Sequence, residues 1–318
     1  MKAPFPWFGG KRRVADVVWR ALGDVDNYVE PFAGSLAVLL DRPRWHTGNT
    51  ETVNDADAFL SNFWRALAAD PEEVAYWCDW PVNEADLEAR HLWLVNEGRN
   101  RIASMFDDPE FYDAKVAGWW VWGINSWIGS GWCSGTGPWT AGSARTSATP
   151  HHVGDAGQGI NRKLPHLGDA GQGILNYLTE LADRLRKVRV CCGDWSRVVN
   201  NGALHYGAIV GIFLDPPYLG AVRTSDLYAV DDHTIANEVR DWAISNIDPT
   251  RRIILAGYEP EHIAHMPDTW RMITYSASKS YGSAAGGGVN DANRHLERLW
   301  LSPSCINDSQ QSLFGATA

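Results

Sequence analysis

Cysteine is scarce in this sequence, and the few cysteines are not arranged as ligands or as a disulfide framework. No two of them have the Cys-x-x-Cys spacing; the five are Cys78, Cys133, Cys191, Cys192 and Cys305. Neither a disulfide-stapled secreted domain nor a zinc ribbon is indicated. We therefore expect a protein of the reducing cytoplasm that holds no metal.

Basic residues are also in short supply. The 28 lysines and arginines face 38 aspartates and glutamates, which leaves a formal net charge of -10. This balance argues against a globally positive surface that wraps nucleic acid. Local patches remain open, because residues 111–190 contain eight basic and five acidic residues, a difference of +3. A polyanion would be held by such a segment.

Long apolar runs are missing as well. The N-terminus goes directly into proline, tryptophan and glycine without the apolar stretch of a signal peptide. The uncharged stretch from Val116 to Ala144 is interrupted by seven glycines and one proline. We therefore expect no membrane span.

What the sequence does contain is an alternation of strand-like and helix-like segments. Apolar stripes at helical spacing occur over 14–22, 175–185 and 235–243, and a further helix is expected to begin at Gly34. Seven segments have the pattern of buried strands: Tyr28–Phe32, Thr52–Asn54, Val188–Cys192, Ile209–Leu214, Ile253–Ala256, Met272–Tyr275 and Arg298–Leu301. The pattern predicts an α/β fold with a doubly wound, Rossmann-like sheet of about seven strands.

The spacing of these segments indicates an insertion. Asn54 and Asp215 lie 161 positions apart, whereas two βα units need roughly 60 residues. The surplus contains six tryptophans between 119 and 139 and two copies of Gly-Asp-Ala-Gly-Gln-Gly-Ile, at 154–160 and 168–174. We predict a catalytic domain formed by 1–68 and 188–303, an inserted recognition region over 69–187, and a flexible tail over 304–318. A packed core explains the tryptophans equally well.

The tetrapeptide Asp215-Pro216-Pro217-Tyr218 directly follows the apolar strand Ile209–Leu214. Ligands of open α/β sheets bind just past the carboxyl ends of strands, so a catalytic turn is expected here. The two prolines fix the backbone and donate no hydrogen bond, which leaves the Asp215 carboxylate and the Pro216 carbonyl as rigid acceptors. Such a pair suits the exocyclic amine of a nucleobase, and Tyr218 would supply a face on which the base stacks.

A second motif, Glu30-Pro-Phe-Ala-Gly-Ser35, follows the first strand. Gly34 would allow close approach of a nucleoside-like cofactor, and Asp55, at the end of the second strand, is typical of a ribose-binding acid. The segment from Trp7 to Lys11 is not a phosphate loop, because the required glycine and hydroxyl positions are not met. ATP hydrolysis is therefore disfavoured.

Together these motifs resemble the Dam-like DNA adenine methyltransferases, including phage-encoded members. Trp7-Phe-Gly-Gly-Lys11 looks like the family's N-terminal cofactor segment, and Glu30–Ser35 like its glycine motif. Asn54-Asp55 is similar to the family's ribose-binding acid, and Asp215–Tyr218 to its catalytic tetrapeptide. The family's target-recognition region also lies between its glycine motif and its catalytic motif. A departure is Leu36, where many relatives have a second glycine.

The resemblance implies S-adenosylmethionine as the methyl donor. Lys11 would pair with the methionine carboxylate, and Asp194 would lie at the contact to the cofactor adenine. The full set of implied cofactor-binding residues is Trp7, Lys11, Phe32, Gly34, Ser35, Asp55, Asp194 and Asp215. Transfer to an exocyclic amine needs no covalent intermediate, and the sequence lacks the Pro-Cys dipeptide that methylation of a ring carbon normally uses.

The implied partner is duplex DNA. Candidate DNA-binding residues are Trp127, Trp132, Arg186, Lys187, Asn293 and Arg294. The tail segment Gln310-Gln-Ser-Leu-Phe314 resembles the short peptides that dock on the bacterial sliding clamp. Three alternatives stay open: a cytosine exocyclic-amine methyltransferase, an RNA-adenine methyltransferase, and an inactive DNA-binding protein on the same fold.

Overall fold

The structure is a computed structural model. It describes residues 1–5, 7, 11–44, 49–127, 132–133, 173–205, 207–217, 232–275 and 296–307. Tyr218, Asn293, Arg294, the two glycine-rich repeats up to residue 172 and the segment 310–314 lie outside the described residues.

Seven strands of the described residues form one sheet, in the order β3-β2-β1-β4-β5-β7-β6. Neighbouring strands from β3 to β5 are parallel, and β7 is antiparallel to both β5 and β6. The strands are β1 (Asn27–Glu30), β2 (Thr50–Asp55), β3 (Val188–Cys192), β4 (Val210–Leu214), β5 (Arg251–Tyr258), β6 (Arg271–Thr274) and β7 (Glu297–Leu301). The predicted α/β fold with about seven strands is confirmed.

Ten α-helices lie within the described residues. They are α1 (Ala15–Leu22), α2 (Ala58–Ala69), α3 (Pro71–Cys78), α4 (Glu84–Trp93), α5 (Arg99–Ile102), α6 (Ala114–Ser126), α7 (Gly173–Leu185), α8 (Asn201–Leu204), α9 (Asp232–Ser245) and α10 (Glu259–His262). None of the helices in this part of the chain is long and apolar enough to cross a membrane.

The sheet carries apolar side chains on both faces. In β4 all five residues are buried; Phe213 belongs to one apolar cluster, whereas Ile212 and Leu214 belong to the other. Side chains alternate between the two faces of a strand, so this division follows from the strand geometry. Helices α1, α2, α6 and α7 cover the first face, and α8 and α9 cover the second. A central strand buried on both sides explains the continuous apolar run in the sequence.

The helices that follow α2 share the core of the first face. Helix α6 packs against α2 and α3, and α3 packs against α7. Phe63 of α2, Trp120 of α6 and Leu178 of α7 belong to one buried cluster. This packing connects residues 71–126 with the seven-stranded sheet, and the domain boundaries stated above stay a prediction.

The prediction of a helix beginning at Gly34 is wrong. Gly34 has φ +47° and Leu36 has φ +61°, both in the left-handed region, which does not continue as a right-handed helix. The chain instead makes a tight turn in which the Leu36 N–H donates to the Ala33 carbonyl at 2.8 Å. Only a short 3-10 helix, Leu39–Asp41, follows in the described part of this connection. Leu36, which stands where relatives have glycine, keeps the turn and is fully buried.

Candidate active site

Four parallel strands end side by side at one edge of the sheet, which we call the carboxyl edge. Strand β1 pairs with β2 and β4, and β2 pairs with β3. Glu30 and Asp55 are the last residues of β1 and β2, Asp215 directly follows β4, and Asp194 comes two residues after the end of β3. Because parallel strands bring their carboxyl ends together, four acidic residues that are far apart in the sequence lie on neighbouring strands.

Asp55 connects the end of β2 to the glycine turn. Its Oδ2 accepts a hydrogen bond from the Gly34 N–H at 2.9 Å, and its Oδ1 accepts one from the Asp57 N–H at 3.0 Å. A carboxylate has about four acceptor positions, so these two bonds do not exhaust its capacity. Asp55 therefore fixes the turn and can still accept hydrogen bonds from hydroxyl groups.

Trp7 lies directly over Gly34. A Cβ atom built on Gly34 would be 2.3 Å from Trp7 Cδ1, closer than real Cβ contacts. The indole is half-buried and also contacts Phe5 and Trp120, with ring centroids 5.8 Å and 6.3 Å away. Trp7 of the N-terminal segment and the glycine turn are thus in direct contact. Ser35, the next residue, is buried.

Asn54 ties three strand ends together, a role that the sequence alone does not reveal. Its Nδ2 donates to the Pro31 carbonyl at 3.0 Å and to the Gly193 carbonyl at 2.9 Å. Its Oδ1 is buried and has no hydrogen-bond partner within the described part of the chain. An unsatisfied buried acceptor beside the carboxyl edge is a natural partner for a bound polar ligand.

The loop after β3 provides aromatic surface beside this edge. Asp194 is exposed and accepts a hydrogen bond from the Ser196 N–H at 2.9 Å, which caps a short 3-10 helix. Trp195 of that helix stacks on the half-buried Phe32, with ring centroids 6.1 Å apart and an interplanar angle of 28°. Phe32 and Asp194 thus lie in adjoining loops, both next to Asn54.

Asp215 forms an ion pair with Lys11. Lys11 Nζ lies 3.0 Å from Asp215 Oδ1, and the Lys11 side chain is only 4% exposed. Pro216 is buried and Pro217 is half-buried. The resemblance assigned Lys11 to the methionine carboxylate of the cofactor, whereas in this structure its ammonium contacts the catalytic-motif aspartate. The residue implied for cofactor binding, Lys11, and the residue of the Asp215 motif therefore lie at the same place in the structure.

Glu30 is a buried carboxyl group beneath this pair. Burial is the main cause that raises the pKa of Glu30 to about 8; the hydrogen bond that the Tyr28 hydroxyl donates at 2.9 Å opposes this rise, and the negative charges of Asp215 and Asp55 add to it. Glu30 is therefore largely protonated at neutral pH. Its location directly before the glycine turn was visible in the sequence, but its burial was not.

Glu297 is a further site residue that the sequence does not single out. Its Oε2 lies 3.9 Å from Lys11 Nζ and accepts a hydrogen bond from the Tyr275 hydroxyl at 2.6 Å. Glu297 begins β7 and is 5% exposed. The strand reads Glu-Arg-Leu-Trp-Leu, a pattern that does not mark its first residue as part of a site.

Trp127 lies in the interior of the helical layer, and the half-buried Trp132 packs against it. Trp127 is 5% exposed, and its ring centroid lies 5.0 Å from that of His91. Trp132 packs over Gly123 and donates from Nε1 to the Trp120 carbonyl at 3.0 Å. The burial of Trp127 favours the packed-core interpretation of this tryptophan over stacking on DNA.

Arg186 and Lys187 are not brought to the carboxyl edge. They immediately precede Val188, which starts β3, and so lie at the opposite end of the strands from Asp215. Both are exposed, and Arg186 pairs with Asp183 at 2.7 Å. The neighbouring Arg184 is buried and forms an ion pair with Glu51 at 2.7 Å. The location of Arg186 and Lys187 gives no support to a contact with a base held at Asp215.

A comparison with known proteins finds a similarity in one segment of the chain, which contains several of these residues. Among curated proteins, none matches the chain significantly. Residues 7–93 match the sequence model of the family described as D12 class N6 adenine-specific DNA methyltransferase. The segment contains Trp7, Lys11, the glycine turn and Asp55. Over residues 7–93 the chain is thus similar to the D12 class N6 adenine-specific DNA methyltransferases, enzymes that methylate adenine in DNA with S-adenosylmethionine as the methyl donor.

Proposed function

We propose that Asp215 and Pro216 hold the target adenine while the glycine turn and Asp55 hold S-adenosylmethionine. The observation that carries this proposal is the 3.0 Å contact between Lys11 and Asp215. Lys11 lies inside the segment that matches the methyltransferase family, and Asp215 lies outside it. Their ion pair joins the matched segment to the Asp215-Pro-Pro motif.

The residues beside the glycine turn have the chemistry that an adenosine-containing cofactor needs. Asp55 offers carboxylate oxygens for ribose hydroxyls, Asn54 Oδ1 is a buried acceptor with no partner among the described residues, and Phe32 offers an aromatic face. Trp7 over Gly34 closes one side of this pocket. When bound here, S-adenosylmethionine would supply an electrophilic methyl group.

Asp215 and Pro216 prepare the nucleophile. The carboxylate and the prolyl carbonyl accept hydrogen bonds from the N6 amine, which draws that nitrogen out of conjugation with the ring and leaves its lone pair available for attack. Proline has no N–H to compete for these acceptors. The acceptors are fixed before the reaction and lie where positive charge develops on the nitrogen, so little reorganisation is needed.

The target base has to leave the duplex to reach Asp215, at a cost of a few kcal/mol. Tyr218 is the proposed stacking partner for the flipped base. If stacking is its role, Tyr218→Phe keeps much of the activity and Tyr218→Ala keeps little. Equal losses in the two variants would point to the hydroxyl group instead.

For recognition of the target sequence, we assign residues 111–190, with the region around Arg223 and Asn293 as the alternative. The support is the local charge of +3, from eight basic and five acidic residues, in a chain that is acidic overall. Exchanging this block with that of a related enzyme is expected to change the methylated sequence. If the original sequence is still methylated, recognition lies elsewhere.

For the C-terminal tail, we keep the proposal that Gln310–Phe314 docks on the bacterial sliding clamp in the cytoplasm. Leu313 and Phe314 would fill one apolar pocket and Gln310 a polar one. Binding of purified clamp to the full-length chain, lost in Leu313→Ala and Phe314→Ala, would support it. No binding by the wild type, or binding indifferent to both substitutions, would overturn it.

The reaction is tested by product identification. Unmethylated DNA is incubated with the protein and S-adenosylmethionine, digested to nucleosides and analysed by mass spectrometry. The expected product is N6-methyl-2′-deoxyadenosine. N4-methylcytosine, or transfer only to RNA, would replace the proposed substrate, and no product on any DNA would favour an inactive DNA-binding protein.

A further inference from the structure

Glu297 lies at the same edge of the sheet as Asp215, although it is the first residue of its strand. Strand β7 runs antiparallel to β5, and Glu297 pairs with Tyr258, the last residue of β5. Strand β5 is in turn parallel to β4, which ends just before Asp215. The reversed direction of β7 therefore brings its beginning to the carboxyl edge.

Four side chains form a continuous line there. The Tyr275 hydroxyl donates to Glu297 Oε2 at 2.6 Å, and the same oxygen lies 3.9 Å from Lys11 Nζ. Lys11 Nζ lies 3.0 Å from Asp215 Oδ1. The four residues come from the N-terminal segment, the catalytic motif and the ends of β6 and β7. Such a convergence is not required to hold the strands together, because the backbone pairing already does so.

The central member, Lys11, is a buried cation with two carboxylates around it. The side chains of Lys11 and Glu297 are 4% and 7% exposed, and that of Asp215 is 18% exposed. In such surroundings an ion pair is strong only when its geometry is fixed by further hydrogen bonds. Tyr275 fixes Glu297, and Glu297 provides the second carboxylate that keeps the ammonium group in place.

We propose that Glu297 is a positioning residue for methyl transfer, which anchors Lys11 and through it fixes the carboxylate of Asp215. The inference rests on the proposed role of Asp215. A carboxylate held by Lys11 at one oxygen cannot rotate freely about its Cβ–Cγ bond, so its orientation toward the incoming amine is set in advance. Without Glu297, Lys11 has one anchor fewer and this orientation is less well defined.

The test uses Glu297→Gln in the full-length protein. Glutamine keeps the size of the side chain and an oxygen that can accept from Tyr275, but it removes the charge that faces Lys11. The matched control is Glu259→Gln, because Glu259 pairs with Arg298, the next residue of β7, whose side chain points to the other face of the strand. Single-turnover rates are measured with tritiated S-adenosylmethionine and DNA at saturating concentrations, so that differences in binding do not enter.

We expect Glu297→Gln to lower the rate roughly 10-fold to 100-fold, the usual effect of losing a charge-assisted contact, while Glu259→Gln stays close to wild type. The same substitution made in a Lys11→Met background should lower the rate further by less than about threefold, because its partner is already gone. A structural role would instead give the same fold-loss in both backgrounds. Thermal unfolding of each variant establishes that the compared proteins are folded.

If Lys11→Met has no measurable rate, the double-mutant cycle is made with Tyr275→Phe in place of Lys11→Met. Tyr275→Phe should lower the rate of the wild type and have little further effect on the rate of the Glu297→Gln variant. An unchanged rate in Glu297→Gln, or additive losses in the cycle that is measurable, would overturn the inference and leave the proposed function standing. An inactive wild type would overturn the proposed function and this inference with it.

Discussion

The Gly34 N–H donates a hydrogen bond of 2.9 Å to the carboxylate of Asp55. The end of β2 thus holds the turn that follows β1, and the acid implied for ribose binding also shapes the turn over which the cofactor would lie. Asp55 accepts a second backbone N–H, from Asp57, at 3.0 Å. The proposed ribose binding would therefore be coupled to the structure of the turn at this residue.

Asp55→Asn should weaken both properties. An amide offers one acceptor oxygen where the carboxylate offers two, so one of the two backbone N–H groups loses its partner. We expect a loss of about 1–3 kcal/mol in the free energy of unfolding, together with weaker S-adenosylmethionine binding by calorimetry. Asp16→Asn, in the exposed ion pair with Arg20, is the matched control and should change neither. If the two variants have the same free energy of unfolding, the structural role of Asp55 is contradicted.

Gly34→Ala should displace Trp7. The added Cβ would stand 2.3 Å from Trp7 Cδ1, and Gly34 also has φ +47°. Gly173→Ala separates the two effects, because Gly173 has φ +65° and nothing within 4 Å of its added Cβ. Both variants bear the backbone strain, roughly 1 kcal/mol, and Gly34→Ala should lose a further amount of about 1–3 kcal/mol from crowding.

The affinity for S-adenosylmethionine gives the second measurement for this pair of variants. Only Gly34→Ala should alter the affinity, since Gly173 begins α7 and does not belong to the carboxyl edge. Equal effects of the two substitutions on stability and affinity would show that Trp7 does not lie over the turn.

The buried Glu30 predicts a pH dependence of stability with a defined sign. Burial raises the pKa of Glu30 from 4.5 to about 8. Between these values the folded protein retains a proton that the unfolded chain releases, so this group's contribution to stability falls as the pH rises through the window. Asp57, whose pKa burial raises from 3.8 to about 6, acts with the same sign over its own lower window.

Glu30→Gln isolates this contribution, because glutamine imitates the protonated carboxyl group and does not titrate. Urea unfolding of wild type and variant at several pH values should show the variant gaining stability relative to wild type as the pH rises from about 4.5 to about 8. The contribution of Asp57 is present in both proteins and cancels. A difference that is independent of pH would mean that Glu30 is ionised in the folded protein at neutral pH.

Trp127→Ala should act on folding. Trp127 is 5% exposed and packs on His91, so its removal leaves a cavity and should cost about 3–5 kcal/mol in the free energy of unfolding. Urea unfolding measures this loss. DNA binding by the wild type and by the variant is compared without denaturant, at a temperature where the variant is folded. A stable variant with impaired DNA binding would restore Trp127 as a DNA-contacting residue.

The strands were predictable because a buried sheet imposes continuous apolar runs, as in β4, whose five residues are all buried. The Asp215 motif was predictable for the same reason, since it follows such a run. The turn at Gly34 was not, because the left-handed backbone of Leu36 is set by the Ala33–Leu36 hydrogen bond and by core packing, which leave no periodic signal. The contact between Lys11 and Glu297 joins opposite ends of the chain, and only the reversed direction of β7 brings it about.

The tryptophans show a limit of a different kind. Composition alone fits both a core and a DNA-stacking surface, and the choice depends on which neighbours cover each ring. Trp132 over Gly123 and Trp127 on His91 are such neighbours. Glycine at 123 is what allows the close approach, and its role is visible only once α6 is formed.

The most direct test compares methyl transfer by the wild type with that by Asp215→Asn. Asparagine keeps the shape of the side chain but replaces one acceptor oxygen with a donor, so the N6 amine loses an acceptor and Lys11 loses the nearer of its two carboxylates. Asp268→Asn, an exposed carboxylate before β6, is the control. We expect the wild type and Asp268→Asn to form N6-methyladenine in DNA, and Asp215→Asn to be slower by about 100-fold or more while remaining folded. A near-normal rate in folded Asp215→Asn would remove Asp215 from the reaction and contradict the proposed active site.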